Sequence, residues 1–380
     1  MKKISLLLIA LLITGVFFSV ANAQNDILNI FKAGVVDLNT IANGYLKPAG
    51  NSFSAGLGSG WYNTAAVHKP FGFDLTVGVG VITAPNSDQT FGLGGLTVLK
   101  PTDASMTTAP SFAGKGNGVE LNLYQPQNLS NNQPNPLYPG KILSFNTPSG
   151  VSKYIPTASV QFTIGIPFIN DVSFRFVPKV SVKGFETSLW GFGIKHNFKQ
   201  WIPVIKDLPF DAAIVLAYTK FDLKYAFPAS AQITPDQLVS DGITTAPDPN
   251  TAYSDYTSQG MKISANAQTV NLVFSKKLLF ITPYIGFGFT NTSFDLSMTG
   301  NYPTLGDPIL NSNGEPVLNE NNKPIMQIYN KPNLVNITSN QVLTNATMGL
   351  RIKLAVLTIH AQYAFQKYPV ASAGFGFSFR

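Results

Sequence analysis

The run Phe71-Gly72-Phe73-Asp74-Leu75-Thr76-Val77-Gly78-Val79-Gly80-Val81 alternates without a break: every odd position is apolar, every even one glycine, aspartate or threonine. Successive side chains of an extended strand point to opposite faces, so one face here is wholly apolar and the other small or polar. The period returns along the chain. Val160, Phe162, Ile164, Ile166 and Phe168 keep it, as do Val172, Phe174 and Phe176, then Trp190, Phe192 and Ile194. The closing residues Ala371, Ala373, Phe375, Phe377 and Phe379 repeat it once more. Further strands are predicted at 210–226, 260–274, 279–298, 335–354 and 357–367, which makes ten.

Many of these stretches reach eleven residues or more. Soluble strands average about 5–6 residues, whereas about 9–11 suffice to cross a bilayer at a tilt. Composition leads the same way. Charged residues make up 12% of the chain, against about 25% in ordinary soluble domains. Aromatic residues also make up 12%, with 28 Phe and 14 Tyr, beside 32 Gly. A soluble protein with so few charges has little to cover its surface; a barrel whose outer face meets lipid needs none there.

Connection lengths favour the barrel as well. The gaps at 169–171, 199–209, 275–278 and 355–356 are short or compact, and those at 84–157, 228–258 and 300–334 are long and polar. Short periplasmic turns with long outer loops are the outer-membrane pattern. Two gaps on the long-loop side, near Gly184 and Tyr368, are short, so the asymmetry is uneven. Weak strand-like pieces at 91–100, 119–124 and 141–145 leave room for extra hairpins. The fold class is therefore all-β: a transmembrane antiparallel β-barrel of 10 to 14 strands over 71–380, preceded by a short N-terminal helical, plug-like segment at 24–70.

Before the barrel, Met1-Lys2-Lys3, an apolar run and Ala21-Asn22-Ala23 read as a signal peptide over 1–23. Its removal lowers the formal charge from +7 to +5, too diffuse to suggest nucleic acid. No later run approaches the ~18 apolar residues of a membrane helix. Ile27, Ile30, Phe31, Gly34, Val35, Leu38, Ile41, Ala42 and Tyr45 recur at helical spacing, and Pro48 is predicted to end that helix. A Gly- and Ser-rich stretch at 51–60 follows. There is no cysteine, and the length makes disulfides unnecessary.

Little points to chemistry. His68, His196 and His360 are the three histidines, none placed by this topology beside a Ser and an acid at the outer rim, so no catalytic residue and no enzyme activity is expected. Metal-ligand spacing is absent, the glycines at 58–60 and 94–95 lack a strand–loop–helix context for phosphate, and no cofactor is expected. Parity points Asp74, Arg175, Lys179, Lys195, Arg351 and Lys353 into the barrel, five bases against one acid. These are the candidate ligand-binding or lumen-lining residues: an open path would favour anions, and a closed one would pair them with plug acids such as Asp26 and Asp37. Trp61, Trp190 and Trp201 fit interfacial girdles.

Several segments together resemble a family of Bacteroidota outer-membrane β-barrel proteins that has no established activity. They are Gly60-Trp61-Tyr62-Asn63-Thr64-Ala65, Lys69-Pro70-Phe71-Gly72-Phe73, Pro156-Thr157-Ala158, Arg175-Phe176-Val177-Pro178-Lys179, Trp190 through His196, Lys199-Gln200-Trp201-Ile202-Pro203 and the closing Gly374-Phe375-Gly376-Phe377-Ser378-Phe379-Arg380. The resemblance implies location and fold, and no substrate. More remotely, a plug-like segment before a barrel is similar to the FadL-type hydrophobic-compound transporters, which have fourteen strands where ten are clear here. Three functions follow as expectations. The first is uptake or binding of a small, possibly hydrophobic compound; the second is a closed structural or adhesive barrel acting through its loops. The third is an enzyme modifying lipid or peptide. The expected partners are outer-membrane lipid, the barrel-assembly machinery during insertion and a small-molecule ligand.

Overall fold

A computed structural model describes residues 34–97, 99–124, 141–168, 170–182, 184–235, 244–247 and 255–379. The signal-peptide reading and the start of the predicted helix fall outside them. Ten strands close into an antiparallel barrel. In chain order they are β1 (Phe73–Thr83), β2 (Tyr154–Ile166), β3 (Asn170–Val182), β4 (Phe185–Asn197), β5 (Asp211–Ala226), β6 (Gly260–Ser275), β7 (Ile281–Thr299), β8 (Asn336–Leu354), β9 (Leu357–Phe365) and β10 (Val370–Phe379). Each pairs with its neighbour in sequence, and β1 closes the ring on β10, Phe73 opposite Phe379 and Val77 opposite Phe375.

Alternation sets which face meets what. Leu75, Val77, Val79, Phe174, Phe287 and Phe377 stand outward and exposed, while Asp74, Thr76, Ser173 and Ser378 are buried inside. Aromatic rings stack across this outer face, Phe73 on Phe379 at 4.9 Å and Phe174 edge-on to Phe192 at 5.4 Å. A closed ladder leaves no backbone group unpaired in hydrocarbon, and the outward apolar belt removes any need for charge. The protein is an outer-membrane β-barrel. An arginine at Val77, midway along β1, is expected to cost about 2–4 kcal/mol of folding stability in lipid, as at any bilayer midplane. Unfolding in phospholipid vesicles measures it; a change within 0.5 kcal/mol, roughly that of an ordinary solvated surface, would contradict a lipid face.

The weak strand-like pieces do form strands, but not in the barrel. Leu99–Pro101, Glu120–Tyr124 and Lys141–Asn146 make one small sheet, and Thr90–Gly92 pairs with Thr108–Pro110 in another. Both belong to the long connection between β1 and β2. Thr244–Pro247, Asn301–Pro308 and Ile325–Pro332 make a third sheet from the other two long loops. Together these loops cap the outer mouth.

One helix, α1 (Gly34–Leu57), enters through that cap and runs down inside the barrel. Pro48 lies within it rather than ending it. Proline removes one intrahelical hydrogen bond and crowds the carbonyl four residues back, a cost that the confinement just beyond it offsets: from Gly50 to Leu57 every residue but Phe53 is buried. Its outer half buries Leu38, Ile41 and Tyr45 against Leu99, Leu121 and Phe145 of the cap. The inner half explains the Gly- and Ser-rich composition of 51–60. A helix with ordinary side chains is about 10–12 Å across, wide for a ten-stranded lumen. Here the residues are small: a methyl on Gly50 would fall 2.4 Å from the Phe294 ring, and one on Gly56 would fall 2.6 Å from Ile82. Ser52 and Ser54 return their hydroxyls to the carbonyls of Pro48 and Gly50, both at 2.9 Å.

Candidate functional site in the lumen

Below α1 the chain continues without helix or strand through the lumen to β1, and the wall changes character to receive it. Thr76, Thr163, Ser173, Thr219, Thr269 and Thr290 are buried and face inward. The last carbonyls of α1 have no helical partner, so the wall supplies donors. Arg175 Nη1 and Thr219 Oγ1 both donate to the Leu57 carbonyl, at 3.3 and 3.0 Å, and Thr269 Oγ1 donates to that of Gly58 at 3.3 Å.

Trp61 comes next, buried in the lumen and not in an interfacial girdle. It belongs to the segment that threads the barrel, so period-two reasoning could not place it. Its indole lies flat on Gly191 and Gly193 of β4, where added methyls would fall 3.1 and 2.9 Å from the ring. Trp190 and Trp201, by contrast, are exposed on the outside. Tyr62 uses Gly286 of β7 in the same way. These inward glycines sit opposite outward aromatics in the sequence, and that pairing was the available signal for the path of the plug.

At the periplasmic end the charges gather. Asp171 is fully buried and central: its carboxylate pairs with Lys195 at 3.0 Å and His68 Nδ1 at 3.1 Å, and accepts the His68 backbone N–H at 2.9 Å. Lys195 also donates to the Ala66 carbonyl at 2.7 Å. His68 Nε2 lies 3.4 Å from Ser378 Oγ, which accepts from Lys353 at 3.0 Å. Ser275 Oγ meets Thr64 Oγ1 at 3.1 Å and the Ala65 N–H at 2.9 Å. Segment 64–68 is thus pinned to four strands.

Of the six residues assigned to the lumen, five share this interior. Asp74 faces Arg351 at 3.7 Å and accepts from Thr76 Oγ1 at 2.5 Å. Arg175, Lys195 and Lys353 hold the contacts given above. Lys179 does not join them. Val177 pairs with Leu189 and Val180 with Thr187, so two residues, Pro178 and Lys179, stand opposite Ser188. That bulge reverses the parity, and Lys179 lies exposed, 2.8 Å from Glu186. Asp37 is the plug acid that is described, and its carboxylate accepts the backbone N–H groups of Thr97 and Leu99 in the cap, at 2.8 and 2.9 Å. Asp26 lies outside the described residues. Asp171 was missed because it reads as part of a turn. His68, Asp171 and Ser378 come together from segments far apart in sequence, where no local spacing announces them.

The described residues hold no group of three or more potential metal ligands. A cavity of about 50 Å³ lies between the end of α1 and β1, β2 and β10.

No curated protein matches the sequence. Among solved structures the chain is similar to the translocator domain of the autotransporter NalP from Neisseria meningitidis, at 7% identity over 89% of this chain and 99% of that one, with a TM-score of 0.30. It is also similar to the outer-membrane protease OmpT from Escherichia coli, at 6% identity over 82% and 98%, TM-score 0.29. A FadL homologue from Pseudomonas aeruginosa shows 10% identity over 90% and 96%, TM-score 0.19. At such identities the likeness carries no activity. One family model matches residues 1–379, essentially the whole length, and the chain belongs to that family of unknown function, DUF6588.

Proposed function

We propose that this barrel is a gated passage for a small polar, preferably anionic, solute, closed by its own N-terminal segment. One observation carries the reading: the plug meets two different walls. In the cap it is sealed by apolar packing, as a permanent core would be. Below Leu57 it meets hydroxyls, amides and charged groups beside one apolar patch, Val215, Val273 and Tyr284 around Trp61 and Tyr62; water can replace those hydrogen bonds at a net of about 0.5–1.5 kcal/mol each. A wall of that kind serves a tube that is sometimes wet. Arg175, Lys195, Arg351 and Lys353 outnumber Asp74 and Asp171 inside, and an excess of cationic groups along a pore favours anions. Hydroxyl lining fits a polar solute better than a hydrophobic one. The passage needs no catalysis. The Asp171–His68–Ser378 array resembles a nucleophile, base and orienting acid in its order, but Ser378 is buried and Lys353 already donates to its hydroxyl. A permanently closed barrel acting through its loops is the second reading, favoured by the apolar cap.

A reversible lock tests the choice. The protein has no cysteine, and a methyl on Gly58 would lie 2.6 Å from Thr290 Cγ2, within reach of a disulfide between Gly58→Cys and Thr290→Cys. In planar bilayers the oxidised protein is expected to stay silent, and the reduced one to show anion-selective openings. Silence in both states would favour the closed barrel.

A further inference from the structure

Left-handed backbone falls on two different sorts of residue at the two ends of this barrel. In the outer loops it is carried by Gly184, Gly300, Gly314, Asn322 and Asn333, types that adopt it at little cost. At the periplasmic end it is carried by Phe71 (φ 63°), Phe168 (φ 65°), Leu279 (φ 54°) and Ala355 (φ 53°). Glycine or asparagine would make these turns without strain. A bulky residue there is an outlier, and strain of this kind persists where it serves a function. Internal packing is not that function: Phe71, Phe168 and Leu279 are 75%, 86% and 87% exposed.

Their neighbours share the character. The connection 198–210 exposes Trp201, Val204 and Leu208, and Leu278 and Phe280 stand exposed on either side of Leu279. Lysines are interspersed. Segments 69–72, 167–169, 198–210, 276–280 and 355–356 contain Lys69, Lys199, Lys206, Lys276 and Lys277, with Asp207 their one acid. Lys69, Lys206, Lys276 and Lys277 are exposed, and none forms an ion pair among the described residues.

Apolar tips among unneutralised lysines match one surface, a phospholipid leaflet with anionic headgroups. The tips enter the acyl boundary and the ammonium groups meet phosphate. The rim is also continuous with the lipid face. Phe71 keeps the parity of Phe73, and its N–H donates to the Gly165 carbonyl while the Gly165 N–H donates to that of Gly72, both at 2.8 Å. From Phe71 to Val81, ten steps of about 3.4 Å at a tilt of about 40° rise about 26 Å, the height of a barrel's apolar band. Phe71 therefore completes the band, and the turns lie at its headgroup edge.

We propose that the periplasmic turns form a foot set into the inner leaflet, which binds anionic phospholipid in preference to zwitterionic. The foot works whether the lumen opens or stays shut, so it stands apart from the passage proposed above.

The protein has no cysteine, so a nitroxide can be attached singly at Phe168→Cys, Val204→Cys or Leu279→Cys. Exposed Ser312, in the outer loops, gives the control Ser312→Cys. In vesicles of equal phosphatidylglycerol and phosphatidylcholine, the three rim labels should collide more with lipid-soluble oxygen than with an aqueous nickel chelate. The Ser312 label should do the reverse. More nickel than oxygen collision at the rim would put the turns in water, facing a periplasmic protein instead, and would overturn the proposal. Lipid retained after mild extraction of the same vesicles tests the charge. Phosphatidylglycerol should be enriched, and Lys206→Gln/Lys276→Gln/Lys277→Gln should lose the enrichment, by about fivefold for each lysine that reaches a phosphate. Equal retention of the two lipids by the wild type, or an undiminished preference in the triple variant, would overturn it equally.

Discussion

Asp171→Ala is expected to lower the unfolding free energy by about 3–5 kcal/mol, the range for removing one partner of a buried ion pair. The physical reason is what remains. Lys195, with its side chain 11% exposed, loses its carboxylate at 3.0 Å, and the His68 imidazole and backbone N–H lose their acceptor together. Among the described residues no other carboxylate lies within ion-pair distance of Lys195, and the interior solvates its charge poorly. Replacing both partners, as Asp171→Ala with Lys195→Met, removes the stranded charge and should recover half or more of the loss. Denaturant unfolding in detergent micelles gives both numbers. A single-variant loss under 1 kcal/mol, roughly that of an exposed pair, would mean that water reaches Asp171 and that segment 64–68 does not seal the periplasmic end.

The second large effect concerns the seat of the plug. Gly191 and Gly193 present bare backbone to the Trp61 ring. At Gly191 an added methyl would first meet the Tyr218 carbonyl of β5, at 2.7 Å, but at Gly193 its nearest neighbour is the ring, so leucine at Gly193 fills volume that the indole occupies. The strands cannot retreat, because β4 is hydrogen-bonded to β3 and β5 along its length, so the ring must leave. We expect Gly193→Leu to insert normally, to lose protection of 58–70 against proteases, and to conduct continuously in bilayers. Phe192, between the two glycines, faces outward, so Phe192→Leu is the control that leaves the plug seated. A Gly193→Leu variant as resistant and as silent as the wild type would show that Trp61 does not rest on this wall.

Strand reading succeeded where one physical rule governs every residue. Between lipid and lumen, alternation has no exceptions to hide behind, and 71–81, 172–176 and 371–379 carry it plainly. It failed at Lys179, where a bulge inserts a residue that composition does not mark. The plug was legible only in its outer half, because helical periodicity needs large apolar residues, and from Ala49 to Gly56 the lumen leaves room mostly for small ones. Pro48 misled for the same reason: tertiary confinement outweighs local propensity. Of the site, parity found Asp74, Arg175, Lys195, Arg351 and Lys353. It could not find Asp171, His68 or Trp61, whose roles exist only once a segment outside the sheet is threaded through it.

The threading itself is the central claim, and Trp61 reports on it most directly. In a protein carrying Trp190→Phe and Trp201→Phe, Trp61 is the sole tryptophan. Reconstituted into vesicles, its emission should be blue-shifted and resist quenching by both brominated lipid and aqueous acrylamide. A single-tryptophan control retaining Trp190, exposed on the outer face, should be quenched by the lipid. Strong quenching of Trp61 by brominated lipid would place it in a girdle, and strong quenching by acrylamide would place the segment in water; either result would contradict a lumen filled by its own N-terminal chain.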